Sequence, residues 1–296
     1  MAEIAITGTG SETITATASH GIRIQGGAGI GSATSDHNVI LIGEAGDAPA
    51  HEDFSSDPGW TSSGSNLNGN DFGYRQTANA GGTAGEAGGR FTRSGHTRYY
   101  ADTTLSNLDL SLPIEASGRF DSTSANRPDF GRPMLLGHFD TGNMDDDGLR
   151  LGITFTNAGS TDSSLYWRAD LGPVTAGSPI KIAPNADLSW SYLWDPDGGS
   201  EQAGSLSVNL NGTTQVLQLT AAQRADLADR GLDAFGLLGV AKPDDNNSGW
   251  YADLYIDEVS YTSSLADSSL SLSVFGAGSS ITAGPTSSLL IDATDG

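Results

Sequence analysis

The chain has no cysteine in its 296 residues, so neither disulfides nor thiolate metal sites hold it together. Lysine is almost missing too: Lys181 and Lys242 are the only two, and the formal net charge is −22. A surface so short of cations repels the phosphates of nucleic acid and the headgroups of anionic lipid, and neither is expected as a partner. No window approaches the roughly 18 apolar residues of a membrane-spanning helix, so no membrane insertion is expected. The opening MAEIAITGTGSETITATAS carries neither the basic start nor the apolar run of a signal peptide. Export is therefore expected by a signal-independent route, by lysis, or after loss of a leader. Glutamate is scarce as well, at eight residues, which bears on catalysis below.

What is abundant points to strands. Forty glycines among many Ser, Thr and Asp residues favour short strands joined by turns. The plainest stretch is Asp187–Leu219. Trp190, Tyr192 and Trp194 alternate, which puts their rings on one face of an extended strand. Asp195-Pro196-Asp197-Gly198-Gly199 then breaks the strand. Leu206, Val208 and Leu210 alternate in a second run, and Asn211-Gly212 suits the positive φ angles of a type I′ turn. A third run returns through Leu217 and Leu219, giving a three-strand antiparallel meander. The one persuasive helical stretch is Thr220–Gly231, with Thr220 as N-cap and Gly231 as C-cap glycine.

Residues 1–50 read as short strands at Glu3–Thr7, Glu12–Ala18, Gly21–Gln25 and Asn38–Gly43. The glycine run at 26–31 is not a phosphate loop, because no Lys-Ser/Thr follows it. Residues 263–296 return to the same composition. Head and tail are expected either to pair with each other, as a small unit into which the middle is inserted, or to add onto a neighbouring subunit.

The middle of the chain carries an ordered set of segments: EDFSSDPGW (52–60), GGRFTRSGHTRYYAD (88–102), RPMLLGHFD (132–140), GLRLGITF (148–155), WSYLWDPDGG (190–199) with GSLSVNLNG (204–212), and WYADLYIDEVSYT (250–262). Together they resemble the concanavalin- and laminin-G-like jelly-roll domains of large secreted bacterial proteins. The resemblance implies an all-β jelly-roll sandwich over residues 51–262, with β-rich extensions at 1–50 and 263–296. Members of that family include lectins, glycan-binding modules, glycosidases, lyases and structural spacers.

Jelly-roll glycosidases work with two carboxylates across the scissile bond, which the laminarinase-like members carry as Glu-x-Asp-x-x-Glu. None of the eight glutamates here falls in that pattern. Asp253, Asp257 and Glu258 come nearest, but plain alternation sends Glu258 to the face opposite the two aspartates. The Arg, Gln-x-His and Tyr set of the matching lyases is not found, and the five histidines are scattered. The expectation is a chain that is not an enzyme. FDTGNMDDDG is the densest acidic run, and Asp140, Asp145 and Asp147 offer the hard oxygens that Ca²⁺ prefers. Asp53 and Asp257, on the first and last strands of the jelly roll, form a second candidate Ca²⁺ pair. Trp190, Tyr192 and Trp194, with Tyr99 and Tyr100 nearby, are either a platform on which sugar rings stack or core packed against the opposite sheet. The expected function is adhesion or glycan recognition on an extracellular, cell or particle surface, with a glycan or cell-surface polysaccharide as partner. The alternatives are a self-assembling subunit of a filament, sheath or virion that pairs with copies of itself through terminal strands, and a diverged glycan-active hydrolase or lyase.

Overall fold

In the computed structural model the alternation of Leu188–Asp195 becomes a strand whose residues are buried and exposed in strict turn. The structure describes residues 2–5, 11–17, 23–26, 42–43, 49–67, 69–92, 96–126, 134–144, 148–156, 164–175, 177–182, 188–241, 251–264, 269–275, 279–283 and 288–291. The chain divides into two compact units, Pro49–Ser263 and Met1–Ala48 with Ser264–Gly296.

The larger unit is a sandwich of two antiparallel sheets of eight described strands each, the jelly-roll arrangement. Sheet I runs Thr213–Gln218, Ser205–Leu210, Leu188–Asp195, Ile114–Asn126, Tyr251–Tyr261, Glu86–Thr92 and Asp71–Arg75, with Ala50–Glu52 also paired to Tyr251–Tyr261. The first three of these are the meander. Asn211 (φ 48°) and Gly212 (φ 81°) both take positive φ at its tight turn. Sheet II runs Val174–Thr175, Tyr166–Leu171, Arg150–Thr156, Met134–Phe139, Ala234–Gly239, Arg98–Asp102 and Thr61–Ser63, with Ile180–Lys181 on Tyr166–Leu171.

The main core lies between the sheets. Phe120 stacks on Phe155 with centroids 4.8 Å apart, and Phe235 stacks on Tyr261 at 4.1 Å. Met134–Phe139 is apolar almost throughout, and it is buried throughout. Met134, Leu136 and His138 face sheet I, while Leu135 and Phe139 join Ala234 and Leu238 in a second apolar cluster on the outer face of sheet II. Gly137 sits between Gly152 and Gly236 on the flanking strands. Its φ is 157°, and a Cβ there would lie 2.2 Å from the Leu151 carbonyl oxygen, so the strands close up only around glycine.

The helix is shorter than its sequence suggests, covering Ala221–Asp226. Thr220 does cap it, in a reciprocal capping box with Gln223. Gly231 is not the C-cap: the helix ends at Leu227, and Gly231 belongs to a two-residue strand paired with Leu108–Asp109. A Cβ on Gly231 would strike the Asn107 side chain, so the glycine answers a packing demand from a distant segment.

In the smaller unit, Ala2–Ala5, Ser279–Ala283 and Arg23–Gly26 form one antiparallel sheet. Ser288–Ile291, Ser11–Thr17, Ser269–Phe275 and Ile42–Gly43 form another. Strands from the head of the chain thus pair with strands from its tail. Of the strand expected over Asn38–Gly43, residues 38–41 lie outside the described residues.

Candidate functional site

Of the two readings of the aromatic stripe, the structure has the core and not the sugar platform. Trp190, Tyr192 and Trp194 are 2%, 2% and 0% exposed. Alternation aims them at sheet II and leaves Ser189, Ser191 and Leu193 on the outer face. Each polar atom finds a partner inside: Trp190 Nε1 donates to Arg119 O at 3.1 Å and Trp194 Nε1 to Leu110 O at 2.8 Å. The Tyr192 hydroxyl lies 2.6 Å from His138 Nδ1. Tyr99 packs on Phe139 on the outer face of sheet II, 5.8 Å between centroids.

The described acidic candidates each answer to local partners. Asp145 and Asp147 lie outside the described residues. Asp140 accepts the Gly142 N–H at 2.8 Å, closing a local turn. Asp53 does the same for Ser55 at 2.9 Å, and that hydrogen bond holds its carboxyl below the usual range. The first and last strands of the larger unit do lie side by side, with Glu52 opposite Val259. Asp257, however, answers to other neighbours. Burial pushes its carboxyl up to about 6, helped by Glu258 and Glu86 and opposed by the Glu258 N–H and Arg119. Among the described residues no group of three or more His, Asp or Glu is placed to hold a metal ion.

Glu258 departs from plain alternation. It has a positive φ of 50°, and the register with Ile114–Asn126 shifts beside it. Ile256 and Val259, three apart, are therefore both in the core. The bulge leaves Asp257 and Glu258 together instead of on opposite faces. Buried Glu86 comes close to the same place, its carboxylate taking the Thr77 hydroxyl, Asn79 Nδ2 at 2.6 Å and the Ala80 N–H at 2.8 Å. No linear spacing reveals this grouping, since Glu86 and Asp257 are brought together only by the pairing of Glu86–Thr92 with Tyr251–Tyr261.

Tyr100, of the sequence-named aromatics, borders an open pocket at the edge of the sandwich. The pocket holds about 390 Å³ and lies where Thr61–Ser63, at the end of sheet II, meets Asp71–Arg75, at the end of sheet I. That volume falls within the roughly 300–1,000 Å³ of small-ligand sites. Local sequence builds its walls. Asp57 Oδ1 accepts the Gly59 N–H at 2.9 Å, the turn that delivers Trp60. The Trp60 ring then packs edge-on against Phe54 at 5.3 Å and beside Tyr100 at 5.6 Å. On the other wall Phe72 points inward and stacks on Phe91, while Tyr74 stays half-buried. Between them Gly73 leaves a gap, because a Cβ there would meet only the Tyr100 ring, at 4.0 Å. Ser62, Asn66 and Asp71 supply the polar rim.

Charge in the pocket is uneven. Arg75 is its one cation among the described lining residues, and it is engaged: Nη2 meets the Asp71 carboxylate at 2.6 Å and the Asp71 carbonyl at 2.5 Å, and Nε donates to Gly88 O at 3.2 Å. Asp57 Oδ1 also receives the Tyr100 hydroxyl at 3.3 Å. Burial, with Asp57 beside it, pushes the Tyr100 phenol well above its usual range, so it remains a donor. The signals for this site were the D-P-G turn before Trp60 and the glycine inside DFGYR.

No family model matches the chain, and no curated protein matches it. Solved structures do. An endo-β-1,4-glucuronan lyase from the fungus Trichoderma reesei is 13% identical, with a TM-score of 0.45, over 75% of this chain and 98% of that one. Peanut lectin is 10% identical, TM-score 0.43, over 86% and 100%. A Bacillus licheniformis β-glucanase is 12% identical, TM-score 0.38, over 73% and 98%. The expectation that this chain is not an enzyme is accordingly withdrawn: lyase and glucanase stand beside lectin among the structures it is similar to, and carboxylates gathered from separate strands, as Glu86 and Asp257 are, escape a search by spacing. The jelly-roll arrangement of the larger unit rests on its own two antiparallel sheets.

Proposed function

We propose that this protein recognises a glycan in the edge pocket of its jelly roll, on an extracellular, cell or particle surface. The observation that carries the reading is the meeting of Trp60, Tyr74 and Tyr100 with Asp57, Asn66 and Asp71 around one open cavity. Sugar rings offer apolar C–H faces to aromatic rings and hydroxyls to carboxylates and amides, and this lining presents both. Tyr74 is the accessible ring; Trp60 and Tyr100 are rooted in the core and hold still, which keeps the ordering cost of binding low.

A glycan array probed with the parent and with Tyr74→Ala, in Ca²⁺ and in EDTA, tests the reading. The parent should retain at least one glycan class, and Tyr74→Ala should lose it by about tenfold or more, the loss of one stacking contact of roughly 1.5 kcal/mol. Silence of the parent in both buffers refutes the proposal, as does binding that Tyr74→Ala leaves untouched. The EDTA arm tests whether Ca²⁺ takes part.

A further inference from the structure

We infer that the sugar unit taken by this pocket carries a free amine. The inference rests on the pocket being the glycan site, and it follows from the distribution of charge there. Arg75 has no fork to offer an acidic sugar, because its Nη2 and Nε already serve Asp71 and the Gly88 carbonyl. A uronate or sulfated unit would bring its charge to a rim that holds Asp57 and Asp71 and no other described cation. An ammonium meets the opposite situation. Both hydrogen bonds that Asp57 receives go to Oδ1, and Oδ2 accepts none among the described residues. The rings of Trp60, Tyr100 and Tyr74 line the same pocket, and the faces of aromatic rings attract cations. A carboxylate with a spare oxygen in a pocket lined by aromatic rings suits an ammonium, and charge-assisted hydrogen bonds are the stronger kind.

The test is calorimetry in mildly acidic solution with four disaccharide probes: glucosamine, its N-acetylated form, a neutral glucose disaccharide and a uronate-containing one. The glucosamine probe should bind about tenfold or more tightly than the other three, the worth of one charge-assisted contact. Because the whole chain is acidic, a control separates the pocket from its general field. Asp57→Asn keeps an Oδ1 for the Gly59 N–H and should erase the preference. Asp226→Asn, the same change of charge at an exposed helix position, should leave it intact. A second measurement needs no variant: raising salt should weaken the glucosamine probe and spare the two neutral ones. Equal affinity for the N-acetylated or neutral probe, tighter uronate binding, or a preference that survives Asp57→Asn overturns the inference and leaves glycan recognition standing. Failure of all four probes while the array finds another glycan does the same. A silent array removes the pocket reading, and this inference with it.

Discussion

Replacing Tyr192 by phenylalanine deletes one oxygen from the middle of the sandwich, and the structure says what that oxygen does. His138 lies in the core at 0% exposed, with Nε2 2.7 Å from the Thr262 carbonyl and Nδ1 2.6 Å from the Tyr192 hydroxyl. Burial pushes its imidazole down to about 4 from 6.5, so at neutral pH the ring is uncharged. A carbonyl can only accept, so Nε2 carries the proton and Nδ1 accepts the Tyr192 O–H. Tyr192→Phe therefore strands a buried acceptor, at a cost of about 1–3 kcal/mol. The urea midpoint should fall by roughly 0.5–1 M. Tryptophan fluorescence suits the assay, because all five tryptophans lie within Pro49–Ser263 and report that unit alone. The double variant His138→Phe/Tyr192→Phe removes donor and acceptor together and should cost less than the two single losses summed. Acid adds a second signature. Between pH 6.5 and about 4 the unfolded chain takes up a proton that folded His138 refuses. The contribution is thus present above 6.5 and lost as pH falls toward 4, by roughly 3 kcal/mol in all. Tyr192→Phe should keep this acid loss and the double variant should lack it. Equal stability of Tyr192→Phe and parent at pH 8, or an unchanged acid loss in the double variant, refutes the reasoning.

Three further outcomes can be checked by thermal or urea unfolding. Gly137→Ala places a Cβ 2.2 Å from a backbone oxygen that two flanking strands hold in place, and should cost upwards of about 3 kcal/mol or prevent folding; near-parent stability would show that the glycine row is dispensable. Thr220→Ala breaks a capping box on a one-and-a-half-turn helix and should lower Tm by about 2–4 °C, a cap being worth about 1 kcal/mol; no change would mean that packing of Leu227 holds the segment by itself. Asp170 is buried with Arg150 Nη2 3.8 Å away, and burial pushes its carboxyl up to about 6 from 3.8 despite Arg150 and Arg168. Its contribution is full below 3.8 and lost as pH rises through 6, so Asp170→Asn should gain on the parent by roughly 3 kcal/mol between pH 4 and 7; a difference that does not vary with pH would refute the assignment.

The meander was legible because everything that specifies it is local: alternation from Leu188 to Asp195, turn formers after it, and Asn211-Gly212 at the tight turn. The direction of the aromatic stripe was not, since period two gives two faces and only the second sheet decides which is inside. Gly231 looked like a helix cap because its neighbour Asn107, 124 positions earlier, is invisible along the chain. Glu258 misled for a related reason. A single positive φ inserts one residue into the alternation, and nothing about a glutamate announces it. Of the pocket, Tyr100 alone was named, because the other walls come from the 57–66 loop and from Asp71–Arg75, which meet only when both sheets end at the same edge.

That edge explains why core rings can take part in binding here and not under the stripe. In the middle of the sandwich an inward ring is sealed by the opposite sheet, as Trp194 is. At the end of both sheets the last strands have no outer neighbour among the described strands, and an exposed edge invites unwanted pairing. Thr61–Ser63 is short, while Asp71–Arg75 carries an ion pair and a glycine in five residues, all features that discourage strand addition. The same features leave the flanks of Trp60 and Tyr100 reachable and place a carboxylate beside them. Protection against aggregation and a polar, ring-lined cavity therefore come from one set of residues. Lengthening Thr61–Ser63 or filling Gly73 should thus close the pocket and raise self-association together.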